Sequence, residues 1–195
     1  LPCHDLTIRE IEAEITFTEW NRIPGLSMSG SLSCQECHMP QKSDGTHDHR
    51  FVGVDVDLNY PVGQSPLYDA VQDMLESAVD LEFGYPNNEL PDTFIIGSPL
   101  TIPITVKSRT AHSLPSGTSF SREAWLEVKV IDAEMDTLVY ESGIVTNEES
   151  LDTSDTELLL FTSTIFDNNN NEVNSITHAH NMINKSLPAF SERYH

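Results

Sequence analysis

The chain has 195 residues, with 31 Asp and Glu against 10 Lys and Arg, a formal net charge of −21 and 38% apolar residues. This content supports one hydrophobic core or two small ones, and the acidity argues against binding to nucleic acid or an anionic membrane, because both require a basic face. No stretch reaches the roughly 18 apolar residues of a membrane span, and no signal-peptide core is present, so we expect a soluble folded chain.

Residues 1–63 contain all three cysteines and four of the eight histidines, but they show little strand patterning. A segment without an obvious core that is rich in Cys and His generally depends on a metal or cofactor for order. An approximate apolar stripe from Leu6 to Trp20 predicts a helix within it. We therefore expect residues 1–63 to be a mostly irregular or helical cofactor-binding region.

A second helix is predicted over residues 65–82. Ser65 is a suitable N-cap and Pro66 suits the first helical position, and one apolar face follows. Gly84 and Pro86 then end the helix. Residues 64–90 are thus expected to form a connecting helix and a linker.

From Thr93 onward the apolar period changes to two, which is typical of strands. Residues 132–136 and the Asn-rich residues 167–172 are predicted to be hairpin loops. About five to seven short strands separated by turns predict an antiparallel, Ig-like β-sandwich over residues 91–195. The expected fold class is α+β, with the N-terminal region followed by this sandwich.

The strongest motif is Cys34-Gln35-Glu36-Cys37-His38, the C-x-x-C-H pattern of c-type haem attachment. Two thiols at this spacing reach the two vinyl groups of one haem, and the next imidazole then lies under the iron as the proximal ligand. The pattern therefore predicts one covalently bound haem c.

The cysteines have three other possible roles: a structural disulfide, a thioredoxin-like redox pair and a zinc site. A redox pair is expected at the start of a helix after a strand, whereas Met39-Pro40 follows this motif directly. The zinc interpretation stays open, because Cys3 and His4 could complete a Cys3His set with Cys34 and Cys37.

Cys3-His4 has the form of a second haem motif that lacks its first cysteine. If a cysteine precedes Leu1 in the complete protein, His4 is a second proximal ligand. The alternative is an unpaired cysteine beside a histidine. We expect the chain to be a fragment of a longer protein.

The other histidines are candidates for the second axial position of a haem iron. Spacing alone does not assign them, and a histidine on the surface is often only a surface residue. The six candidates are His47, His49, His112, His178, His180 and His195.

Several stretches resemble the exported multihaem c-type cytochromes. In that family a C-x-x-C-H is followed by T-x-x-E-W, C-Q-x-C-H-M-P and H-x-F-x-G, and this chain has LPCHDLTI, ITFTEWNRIPG, SLSCQECHMP and HDHRFVG. The stretch SRTAHSLPSGTSFSREAWLEVKVIDAEMDTLVYESG is similar to the β-sandwich module of the family, with its G-H-x-x-P-T-G and R-x-x-W-L-E-V segments. Here Ala111 stands for the glycine and Ser116 for the threonine.

The resemblance implies a role for each matching residue. The residues expected to bind haem covalently are Cys3, Cys34 and Cys37. The expected proximal ligands are His4 and His38, the expected distal ligands are His49 and His112, and a further candidate distal ligand is His47.

The predicted function is electron transfer through closely spaced bis-histidine haems, with two or more haems in all, in an electron carrier and not an enzyme. Two alternatives stay open: a domain of a multihaem reductase or oxidase acting on a small nitrogen or sulfur compound, and a zinc-stabilised binding module. Because c-type haem is attached outside the cytoplasm, we expect an exported protein in the periplasm, on the cell surface or outside the cell. Expected partners are redox proteins with a cationic docking surface, and other copies or haem domains of the same protein.

Overall fold

The computed structural model describes residues 5–25, 33–84, 93, 95, 97–146 and 150–194. Cys3 and His4, with the incomplete haem motif predicted there, lie outside these residues, as does His195. In the described part the chain forms three α-helices and thirteen β-strands. The α+β prediction therefore holds in its coarse form, with strands in the majority.

The helices are α1 (Thr16–Asn21), α2 (Cys34–His38) and α3 (Tyr68–Ser77). A capping box begins α2: the Ser33 hydroxyl accepts from the Glu36 amide at 3.3 Å, and the Glu36 carboxylate accepts from the Ser33 amide at 2.6 Å. This reciprocal cap stabilises the turn that contains the C-x-x-C-H motif. Of the helices that the structure describes, none is both long enough and apolar enough to cross a bilayer.

The strands are short and form small antiparallel sheets. They are β1 (Asp5–Ile8), β2 (Ile11–Ile15), β3 (Val79–Phe83), β4 (Ile104–Ser108), β5 (Ala124–Trp125), β6 (Val128–Asp132), β7 (Thr137–Ser142), β8 (Val145–Thr146), β9 (Ser150–Leu151), β10 (Leu160–Phe161), β11 (Ser163–Phe166), β12 (Asn181–Asn184) and β13 (Glu192–Tyr194). Within the described ranges the pairs are β1–β2, β5–β10, β6–β7, β8–β9 and β11–β12, and a three-stranded sheet has the order β13–β4–β3.

The single helix predicted from Leu6 to Trp20 is wrong. Strands β1 and β2 form a hairpin here, and only the last part of the segment is helical, as α1. Arg9 and Glu10 make the turn with φ values of 50° and 70°, the left-handed conformation that two-residue hairpin turns require. In β2, Ile11 and Ala13 alternate toward the interior. An apolar spacing of three to four residues did not distinguish this hairpin from a helix.

The helix predicted over residues 65–82 is shorter than expected. It begins at Tyr68, and the Ser65 hydroxyl accepts from the Leu67 amide at 3.3 Å instead of capping the first turn. It ends at Ser77 because the next residues form β3 and pair with β4. The ladder bonds of β3 thus replace the continuation of the helix.

Two hairpin loops were predicted in the second half of the chain. The loop over residues 132–136 is confirmed, since it joins the paired strands β6 and β7. The loop over residues 167–172 follows β11, and the chain turns back there as predicted: Phe166 bridges Glu172, and the Val173 amide donates to the Ile165 carbonyl at 3.0 Å. Residues 173–176 form no regular strand, however, and the ladder partner of β11 is β12.

The chain divides into two compact units, each made from two stretches of sequence. Unit 1 comprises Leu1–Ile15 and Leu114–Leu187, and unit 2 comprises Thr16–Ser113 and Pro188–His195. The predicted division into residues 1–63, 64–90 and 91–195, and the Ig-like form of the sandwich, stay predictions.

Unit 1 has a small apolar core. Ile11, Ile165 and Ala179 are buried at its centre. The partly buried residues packed against them are Phe120, Val173, Ile176 and Met182. This core joins the β1–β2 hairpin to the β11–β12 pair.

Unit 2 contains the three-stranded sheet. Its central strand β4 buries Ile104 and Val106, and Lys107 forms ion pairs with Glu82 at 2.8 Å and Glu192 at 3.3 Å. The chain leaves β4 into the loop of residues 109–113, which is held by a bond from the Phe190 amide to the Thr110 carbonyl. The sheet therefore determines where this loop, with its histidine, begins.

Candidate functional site

The two cysteines of the motif lie on α2 in unit 2. Cys34 and Cys37 are three residues apart, so they share one face of the helix, and both are free. Desolvation raises the pKa of the Cys37 thiol above its ordinary value, and the neighbouring Glu36 and Cys34 add to the effect. A reactive redox pair requires the opposite shift. The Cys37 thiol therefore lacks the lowered pKa that activates a thiol for disulfide exchange.

His38, at the end of α2, is held through its Nδ1 atom. This atom donates a hydrogen bond to the carbonyl oxygen of Val52 at 2.5 Å. A carbonyl oxygen only accepts, so Nδ1 carries the proton and Nε2 of the neutral ring has a free lone pair. The Val52 amide also donates to the His38 carbonyl at 3.2 Å. His38 therefore has the tautomer and the fixed orientation of a metal ligand.

His112 lies in the loop after β4 and has the same arrangement. Its Nδ1 donates to the Ser113 carbonyl at 2.9 Å, which leaves Nε2 free. The Thr110 hydroxyl donates to the His112 carbonyl at 2.5 Å. The Ser113 amide donates to the carboxylate of Glu19 on α1 at 3.1 Å. Contacts on both sides of His112 thus fix its backbone.

The rings of His38 and His112 lie together. Their centroids are 6.2 Å apart and their planes are 18° from parallel. Two imidazoles that bind one metal ion from opposite sides, each nitrogen about 2 Å from the metal, have ring centroids roughly 6 to 6.5 Å apart. The centroid distance of the pair is therefore compatible with ligation of one haem iron from both sides. Cys37 directly precedes His38, and Cys34 lies one helical turn before it.

His47 and His49 are exposed, on the segment after α2. A bridge between Gln41 and His47 folds this segment back, and Nδ1 of His47 donates to the Met39 carbonyl at 2.7 Å. Nδ1 of His49 donates to the His47 carbonyl at 2.9 Å. In the neutral form of each ring the lone pair is thus on Nε2, but the ring contacts described for His38 are with Phe51 and His112. The structure does not bring either histidine into the His38 pair.

An ion pair between the buried Asp48 and the exposed Arg50 stabilises the same segment. Asp48 is only 8% exposed, and its carboxylate accepts from Nε of Arg50 at 2.9 and 3.0 Å and from Nη2 at 2.5 Å. These bonds hold the pKa of Asp48 well below its usual range. The Asp48 amide donates to the Pro40 carbonyl at 3.0 Å. The Arg50 amide also donates to the Asp48 carboxylate at 3.1 Å, so the pair holds the backbone of the segment that carries His47, His49 and Phe51.

The roles of Glu19, Val52 and Asp48 were not predicted from the sequence. Glu19 belongs to the T-x-x-E-W stretch, and Val52 belongs to the H-x-F-x-G stretch. The first motif names Glu19 by its letter, whereas Val52 stands at a variable position of the second motif and Asp48 precedes it. The contacts of Glu19 with Ser113 and of Val52 with His38 join residues distant in the chain. His178 and His180 are exposed in unit 1.

No group of three or more potential metal ligands is found in the described residues. The predicted zinc set includes Cys3 and His4, which lie outside them. An axial haem pair requires only two imidazoles, since the porphyrin supplies the other ligands. The residues present therefore fit a haem iron at the His38–His112 pair.

No protein-family model matches the sequence, and neither does a curated protein. Among solved structures, the chain is similar to the crystal structure of a penta-heme cytochrome c552 from Thermochromatium tepidum, with a TM-score of 0.60 and 17% sequence identity. The similarity covers 98% of this chain and 41% of that cytochrome, so the chain spans less than half of its length. At this identity the similarity concerns the fold, and the fold of this chain is similar to that of part of a multihaem cytochrome.

Proposed function

We propose that the chain is part of an exported multihaem c-type cytochrome that transfers electrons through bis-histidine haems. The pairing of His38 with His112 carries the proposal, because two rings at 6.2 Å, each with Nδ1 donating to a carbonyl oxygen, have the form of an axial ligand pair. The similarity of the fold to a penta-heme cytochrome supports it independently.

In this proposal one haem is attached to Cys34 and Cys37. His38 is its proximal ligand and His112 its distal ligand. Haem c supplies one-electron exchange at its iron. With an imidazole on each side, the iron has no open position for a substrate, which favours an electron carrier over an enzyme.

Further haems are proposed from the remaining donors. In their neutral forms His49 and His47 carry the lone pair on Nε2 and lie on an exposed segment, which suits ligation of a neighbouring haem. Cys3 and His4 are proposed to belong to a second haem. The chain covers less than half of a cytochrome with five haems, which is consistent with additional haems elsewhere in the complete protein.

The β-rich part of the chain, residues 91–195, is proposed to be an antiparallel, Ig-like sandwich that serves as scaffold and docking surface. Its partners are redox proteins with cationic surfaces, because a chain of net charge −21 attracts them. In the described residues no observation favours the reductase or the zinc-stabilised module over electron transfer.

The test is a visible spectrum and an intact mass of the protein produced with c-type haem attachment. We expect the spectrum of low-spin haem, and the haem should stay attached to the protein after acid–acetone treatment. The intact mass of the Cys34→Ser/Cys37→Ser variant should show the loss of one haem. A protein without covalent haem contradicts the proposal. Carbon monoxide binding by the reduced wild-type protein at the haem of Cys34 and Cys37 contradicts the bis-histidine assignment and favours the enzyme alternative.

A further inference from the structure

Phe51 and Val52 contact the His38 residue at three points. The ring of Phe51 stacks on the imidazole, with centroids 4.7 Å apart and planes 12° from parallel. The Val52 carbonyl accepts from Nδ1 at 2.5 Å, and the Val52 amide donates to the His38 carbonyl at 3.2 Å. Phe51 and Val52 thus contact the face of the His38 imidazole and its Nδ1 atom, and Val52 also bonds to the His38 backbone.

Burial does not explain the position of the Phe51 ring. Phe51 is 43% exposed, whereas the neighbouring Val52 is 8% exposed and anchors the segment. Phe51 also has a φ of 52°, in the left-handed region that bulky residues rarely adopt. Such a conformation persists where the surrounding structure determines it, and it is frequent at functional sites. The orientation of Phe51 therefore calls for an explanation other than core packing.

A hydrogen bond from Nδ1 to a carbonyl makes an imidazole more electron-rich at Nε2 and fixes the plane of the ring. A more basic axial ligand favours the oxidised iron, and the hydrogen bonds around a haem are one of the means by which proteins adjust its potential. The stacked phenyl ring limits rotation of the imidazole, so it keeps the short bond to Val52 in place. The stacking of Phe51 and the hydrogen bond to Val52 consequently both maintain the ring plane of His38 and the basicity of its Nε2.

We propose that Phe51 and Val52 form a positioning element for the His38 imidazole, which sets the plane of this ligand and lowers the reduction potential of its haem. The inference rests on the proposed function, since it assumes that His38 binds the iron. It assigns a role to two positions of the H-x-F-x-G stretch that are not ligands.

The experiment compares the wild-type holoprotein with Phe51→Leu, which removes the ring but keeps an apolar side chain. Spectroelectrochemical titration should show that reduction of one haem becomes about tenfold more favourable, a rise of about 59 mV for one electron. The low-spin electron paramagnetic resonance signal of that haem should shift or broaden. Phe51→Tyr, which retains a ring for stacking, should restore both properties.

Phe83→Leu is the matched control, because Phe83 is an exposed phenylalanine of the same unit, on β3. It should leave the potentials and the resonance spectrum unchanged. Wild-type potentials and resonance signals in Phe51→Leu, at full haem content, would overturn the inference alone. Equal shifts in Phe51→Leu and Phe83→Leu would overturn it as well. A wild-type protein without covalent haem would overturn the proposed function, so the two failures are distinguishable.

Discussion

The amide of Ser113 donates a hydrogen bond to the carboxylate of Glu19 at 3.1 Å, across 94 positions of sequence. The bond connects α1 to the loop that carries His112. A residue that is neither a cysteine nor a histidine thereby orients a proposed haem ligand.

Glu19→Leu should destabilise this loop. Loss of a hydrogen bond to a charged group costs about 1.5–3 kcal/mol, so the free energy of unfolding, measured in urea, should fall by about this amount. The low-spin fraction of the His38 haem should fall with it. Glu19→Gln retains an acceptor oxygen, so its free energy of unfolding should lie between those of the wild type and Glu19→Leu. The control is Glu76→Leu on α3; an equal effect there would show that the bond to Ser113 has no special role.

His112→Ala should convert one haem to a high-spin form that binds carbon monoxide after reduction. The reason is that the variant removes one of the two imidazoles of the pair at 6.2 Å. Optical difference spectra measure both changes. His178→Ala, at an exposed histidine of unit 1, should cause neither. A fully low-spin His112→Ala protein would show that another residue binds this iron.

Asp48→Asn should alter the dependence of stability on pH. The folded-state pKa of Asp48 lies below its ordinary value of 3.8, because the Arg50 guanidinium bonds to the carboxylate. Its stabilising contribution is therefore fully present well above pH 3.8 and is lost as the pH falls through the lowered pKa. The wild type should be the more stable protein at neutral pH, and the difference should shrink below about pH 5.

Urea unfolding midpoints measured from neutral to acidic pH test this expectation for Asp48. Asp73→Asn, at an exposed position on α3, serves as the control and should follow the wild-type curve. A constant difference between wild type and Asp48→Asn over the whole range would exclude a contribution from ionised Asp48.

Ile165→Ala should destabilise unit 1 by about 2–5 kcal/mol, and Ile165→Val by about 0.5–1.5 kcal/mol. Ile165 is 2% exposed and packs with Ile11 and Ala179, so truncation leaves a cavity. Chemical denaturation gives both values. Ile183→Ala on the adjoining strand β12 is the control, since Ile183 is 47% exposed. Equal losses at the two positions would contradict the assigned core.

Electron exchange with a cationic redox protein should slow as ionic strength rises. The net charge of −21 attracts such a partner over a distance that salt screens. Stopped-flow rates at a series of salt concentrations measure the effect, and an anionic oxidant should show the opposite trend. Rates with the cationic protein that do not change with salt would argue against electrostatic steering.

The sequence by itself determined the features whose physical cause is local. The C-x-x-C-H motif predicts haem attachment from five consecutive residues, and they lie within one short helix. The β6–β7 hairpin follows from alternating apolar residues on either side of a turn, and it forms as predicted. The β1–β2 hairpin was missed because Ile8, Ile11 and Ile15 have a spacing that also suits a helix.

Only the tertiary structure decided which groups surround His38. Its ring lies beside the ring of His112 because the loop of residues 109–113 follows β4 of the three-stranded sheet. Its Nδ1 donates to the Val52 carbonyl because the segment after α2 folds back. The spacing of residues in the sequence does not predict the tautomer or the ring plane of His38. Both depend on carbonyl groups and rings that hydrogen bonds between distant backbone segments bring close to it. The motif thus predicted the chemistry, and the packing of distant segments determined which groups lie beside the His38 imidazole.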